Sequence, residues 1–122
     1  MMAPLLDQNI ATQAVPTSLL TSQNGLIFAG LSNGKIEKID TRKHSKEREI
    51  EVSRSSIIGL ASLEHNSVIA ADCYGTIKEI DLRNNGVVRR MNLNEQINCL
   101  TIIRPGCLLI GTQYNFQVTF YL

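Results

Sequence analysis

No apolar run in this 122-residue chain approaches the roughly 18 residues that a bilayer-spanning helix needs. The first residues carry Asp7 and lack a basic stretch followed by a long apolar one, so they do not read as a secretory leader. Cysteine is sparse and odd in number, at Cys73, Cys99 and Cys107, which excludes a disulfide framework and points to a reducing compartment, cytoplasm or nucleus. No C-x-x-C pair is present, so a structural zinc is not expected. The net charge of +1 excludes a broad electrostatic footprint for nucleic acid or anionic membrane. Glycines fall singly at turns, with no glycine-rich phosphate loop. The two histidines, His44 and His65, have no nucleophile or metal-ligand spacing around them and read as solvated surface residues. No catalytic, cofactor-binding or metal-ligating residue is therefore assigned. What remains is 43% apolar and 19% charged, the composition of an ordinary globular domain.

Within it lies an internal repeat. Leu31 to Arg42 reads L-S-N-G-K-I-E-K-I-D-T-R, and Asp72 to Arg83 reads D-C-Y-G-T-I-K-E-I-D-L-R. Gly34 falls on Gly75, Ile36 on Ile77, Ile39 on Ile80, Asp40 on Asp81 and Arg42 on Arg83. A period of about 40 residues built from short alternating segments is the pattern of stacked four-stranded blades. A lone sheet cannot bury both its faces, so neighbouring units must stack. The fold class is all-β, with three consecutive blades, the third incomplete. Strands are expected near 17–22, 26–31, 35–41 and 47–52, then 56–63, 67–72, 76–82 and 87–93, then 97–103, 107–112 and 117–122. Asn33-Gly34 and Tyr74-Gly75 mark equivalent tight turns. The organisation is a tail over 1–13, with blades over 14–52, 53–93 and 94–122. Asp40 and Asp81 are expected to accept hydrogen bonds at the ends of third strands. Cys99 and Cys107 are expected to be small core residues, and the run 42–48 a solvated basic loop.

From about Ser18 onward the repeat resembles the WD40 family, whose unit runs through a turn glycine to G-x-I-x-x-W-D-x-R. Gly34 and Gly75, Ile36 and Ile77, Asp40 and Asp81, and Arg42 and Arg83 match that pattern. Ile39 and Ile80 replace the tryptophan, no Gly-His dipeptide precedes the first strands, and the turn aspartate is Asn33 or Tyr74. The family's buried Asp-His-Ser/Thr-Trp network is therefore not carried over. The resemblance implies a β-propeller that works as a protein–protein interaction scaffold or adaptor, without catalysis. It suggests partner contacts at Arg42 and Arg83, because W-D-x-R boxes on consecutive blades can dock onto the adaptor of cullin-4 ubiquitin ligases; Lys43 joins them as part of the basic run 42–48, which could contact an acidic partner. A propeller enzyme is the competing class; it would need convergent acids, a metal or a histidine at the loops, and the sequence offers none.

Closed propellers need about 4–8 blades, so three blades are expected to be half of a ring. Either a second copy completes it, with the segment Leu5 to Val15 supplied to blade three as an exchanged strand, or another chain or further sequence does. The partners expected are thus other proteins, including a second propeller half or a second copy, and neither membrane nor nucleic acid.

Overall fold

The computed structural model describes residues 10–22, 25–43, 45–63, 66–104, 106–113 and 115–120. His44 and His65 lie outside them. The described residues form strands in three antiparallel sheets, in an open rather than closed arrangement. The first sheet runs β1 (Pro16–Thr21), β2 (Leu26–Leu31), β3 (Lys35–Asp40), β4 (Ser45–Glu51). The second runs β5 (Ile57–Leu63), β6 (Ser67–Asp72), β7 (Thr76–Asp81), β8 (Gly86–Asn92). The third has only β9 (Ile97–Arg104), β10 (Cys107–Thr112) and β11 (Phe116–Phe120). These are three blades, the last short of an outer strand.

The repeat is a repeat of register. Phe28 pairs with Lys38 and Gly30 with Ile36 in blade one; Ile69 pairs with Glu79 and Ala71 with Ile77 in blade two. Each blade has a forward face, toward the next blade, and a back face, toward the previous one. Forward-facing Phe28, Ile36 and Ile50 of blade one pack with back-facing Leu60, Val68, Ala70 and Ile80 of blade two. Forward-facing Ala61, Ile69, Ala71 and Ile77 of blade two pack with Ile97, Leu108 and Ile110 of blade three. Second strands buried on both faces read as continuous apolar runs for this reason, as in Leu26–Leu31 and Val68–Ala71. Ile36, Ile39, Ile77 and Ile80 are all buried, as the repeat implies.

The turn glycines do two jobs. Gly34 and Gly75 have φ of 85° and 97°, a region that other residues enter only with strain. Each also lies under the link that crosses to the next blade: Gly34 O accepts from Val52 N (3.2 Å) and Ser53 N (3.0 Å), and Gly75 O from Leu93 N (2.9 Å).

The segment preceding β1 repeats this crossing. Ser32 N donates to Val15 O at 2.8 Å, as Cys73 N donates to Ser56 O at 3.1 Å. Ile10 and Ala14 pack on the back face of blade one against Ala29, Leu31 and Ile39. Of the tail expected over 1–13, residues 10–13 thus lie against blade one, and residues 1–9 fall outside the described residues. One expectation is corrected. Cys107 is buried, but Cys99 is exposed. It occupies the forward face of β9, opposite Gly111, and no blade of the described residues stacks there.

Candidate interaction surfaces

Asp40 and Asp81 end β3 and β7, and each turns its carboxylate back onto its own chain. Asp40 Oδ1 accepts from Arg42 N at 2.9 Å, with Arg42 Nε at 3.5 Å. Asp81 Oδ1 accepts from Arg83 N (2.9 Å) and Arg83 Nε (3.1 Å), and its Oδ2 from Arg83 Nη2 (2.9 Å). The two arginines therefore occupy equivalent places on consecutive blades, with side chains about two-thirds exposed, at 69% and 72%. Lys43 is exposed beside Arg42. The charges that follow are engaged by their own sheet: Lys46 approaches Glu37 at 3.8 Å, and Glu47 approaches Lys38 at 3.6 Å.

These clasps shift titration. The Arg83 side chain first, then its backbone N–H, hold the Asp81 carboxyl below its ordinary range, and Asp81 in turn raises Arg83. At Asp40, burial works to raise the pKa, but the Arg42 N–H, the Arg42 guanidinium and the Lys43 N–H together outweigh it and lower it. A carboxylate whose pKa is depressed by folding stabilises the fold above its unfolded value, and that contribution disappears as pH falls through the folded one. The melting-temperature gap between wild type and Asp81→Asn should therefore be full at neutral pH and close as pH drops below the ordinary 3.8. Thermal melts across that range check it; a gap that persists at the acid end would mean that the clasp charge contributes nothing.

Two terminal faces leave apolar side chains exposed, although Ile10 and Ala14 cover the centre of blade one's. On the forward face of blade three, Cys99 and Thr101 are exposed and Ile103 is 52% exposed. On the back face of blade one, Leu19 is 69% exposed, although its repeat equivalent Leu60 is 8% exposed. A third feature was not legible in the motif. A cavity of about 580 Å³ opens where the link after β4 meets blade two, lined by Glu51, Val52, Ser53, Arg54, Asp72, Thr76, Lys78 and Arg90. Two of its cations stand out once the repeat alignment is read for charge and extended to the outer strand, since Lys78 and Arg90 stand where blade one has Glu37 and Glu49.

Comparison with known structures settles the architecture. The chain superimposes on the β-propeller domain of Cps50 (Swd1) from Myceliophteria thermophila with a TM-score of 0.83 at 10% identity, covering 93% of this chain and 37% of that one. Hydrazine synthase from Kuenenia stuttgartiensis aligns with a TM-score of 0.77 at 12% identity, covering 97% of this chain and 36% of that one. This is a partial β-propeller. The chain spans little more than a third of the length of either structure, and identities this low establish the fold alone. No protein-family model matches the sequence, and no curated protein matches it. Among the described residues no helix is long and apolar enough to cross a membrane.

Proposed function

We infer that the chain is a protein–protein interaction scaffold without catalytic activity, stacked face to face with further blades from a second copy or a second propeller half. The observation that carries this is the apolar exposure left on the two terminal faces, at Ile103 on blade three and at Leu19 on blade one, beside the part that Ile10 and Ala14 cover. The chain itself shows twice how such faces join. Leu100 of blade three lies against Gly59 of blade two so closely that a Cβ there would come within 2.9 Å of it. Leu19 holds in blade one the place of Leu60 and Leu100, and Cys99 holds in blade three the place of Gly59. A further blade-to-blade contact would bring a Leu19-type side chain over the Cys99 face. Exposed apolar sheet faces and unpaired edges favour such association. The cysteine pattern is consistent with a cytoplasmic or nuclear setting.

Light scattering on the intact chain and on Leu19→Glu and Ile103→Glu tests this. The wild type is expected to form a discrete assembly, each variant to weaken it, and the pair to add little, since both break one interface. A dilute, folded monomer with unaltered size in both variants would remove the reading.

A second reading rests on the placement of Arg42 and Arg83, exposed at equivalent sites of consecutive blades with Lys43 beside the first. Such a pair suits docking onto the cullin-4 adaptor as a substrate receptor. Under this reading Arg83→Ala abolishes co-purification with cullin-4 components while the fold persists; retained co-purification would exclude it.

A further inference from the structure

We propose that the groove between the link after β4 and the back face of blade two docks an acidic peptide segment of a partner protein through Arg54 and Arg90. This rests on the scaffold reading and names a site for it. Arg54 belongs to the link, Lys78 to β7 and Arg90 to the outer strand β8, and all three line one cavity. Arg42, Arg83 and Arg89 each have a carboxylate within 4 Å; among the described residues, Arg54 and Arg90 have none.

The groove's own acids neutralise it only in part. Asp72 is buried with both oxygens engaged: Oδ1 accepts from Tyr74 N and Thr76 N, each at 3.0 Å, and Oδ2 from Ser53 Oγ at 2.7 Å. Glu51 also lines the cavity, from the end of β4, where it stands opposite Lys35 on the ladder. Three cations thus face two acids, and the positive charge is compensated only in part.

Nor does the blade need these cations. Lys78 stands directly opposite Arg90 on the β7–β8 ladder, a like-charge pair that repels. The same ladder position in blade one holds Glu37 opposite Glu49, and that sheet compensates its acids with Lys46 at 3.8 Å and Lys35 at 3.4 Å. Arg54 has Glu95 as its equivalent in the next link, beside a different cavity lined by Cys73, Tyr74, Asn94 and Gln96. One architecture thus accepts either sign at these positions, and this junction gathers three cations against two acids.

The geometry also selects the ligand. Lys78 Nζ donates to Val52 O, which holds the ammonium within the structure. The two guanidiniums remain as free planar forks, each suited to one carboxylate in bidentate fashion. They lie on two elements, so a segment with at least two acidic side chains engages both, whereas a small anion satisfies one. No aromatic side chain lines the groove, so stacking of nucleic-acid bases has no platform.

Fluorescence anisotropy of a labelled octaglutamate peptide with the intact chain tests the site. Binding is expected to be saturable and weakened by salt. The Arg54→Ala/Arg90→Ala double variant, both positions being exposed, is expected to lose about tenfold or more in affinity. Arg89→Ala, whose side chain pairs with Glu79, should stay within about twofold, as for a surface ion pair. The proposal is overturned if the double variant binds as well as wild type, if octaglutamate does not bind, if inorganic phosphate at matched ionic strength displaces the peptide, or if oligouridylate binds more tightly. A chain that assembles through Leu19 and Ile103 but ignores octaglutamate loses this site and keeps the scaffold reading. A monomer that binds octaglutamate does the reverse.

Discussion

Replacing Gly34 by alanine should destabilise the chain by about 2–6 kcal/mol, combining about 1–3 for a strained backbone with about 1–3 for overpacking. At φ of 85° an alanine is strained whatever the space around it. There is also no space: the added Cβ would overlap the carbonyl of Ser53 and come within 3.0 Å of Ser55 O. These are backbone atoms of the crossing link, so they cannot rotate away. Moving the link would break the bonds that Val52 N and Ser53 N give to Gly34 O. Urea denaturation measures the loss, with Gly86→Ala as the contrast. Gly86 has no positive φ, and a Cβ there meets the end of the Asn84 side chain at 3.0 Å, so its cost should stay near the surface range of about 0.5 kcal/mol. Equal effects at the two glycines would show that the crossing link is not held as described.

Ile77→Ala should cost about 2–4 kcal/mol, the range for truncating a buried isoleucine. Ile77 is 2% exposed on the forward face of β7, and its cluster includes Ile97, Leu108 and Ile110 of blade three. Ile80, three residues on, faces the other way and belongs to the cluster shared with blade one. The two truncations should therefore loosen different junctions. Hydrogen exchange would show blade three released first in Ile77→Ala and blade one in Ile80→Ala. A cost below about 1 kcal/mol at Ile77 would mean that blade three does not pack on blade two in solution.

The strands were readable because two local signals coincide. Residue alternation marks each strand, and a glycine in the left-handed region marks each tight turn at Asn33-Gly34 and Tyr74-Gly75. Expected strands at 35–41 and 76–82 end at Asp40 and Asp81, where each aspartate turns back to accept the next arginine's N–H. The outer strand expected at 47–52 begins earlier, at Ser45, and has a register irregularity opposite Glu37 and Ile39. Cys99 was misplaced for a definite reason. Alternation says that successive residues face opposite ways, but not which of the two faces a neighbour will cover.

The same limit hid the cationic groove. Arg54, Lys78 and Arg90 lie far apart in sequence, only Lys78 falls within the repeated motif, where it aligns with Glu37, and each by itself reads as an ordinary solvated cation. Sequence alone determined the all-β class, the three blades, the turn glycines and the isoleucines that must be buried, because period and turn chemistry are local properties of the chain. Only the tertiary structure decided which face of each blade is forward, that residues 10–15 lie over blade one, that Glu37 is buried there, and that Cys99, Thr101 and Ile103 of blade three are exposed. Those outcomes depend on how one sheet stacks on the next, and stacking brings together residues about 40 apart that no local pattern links.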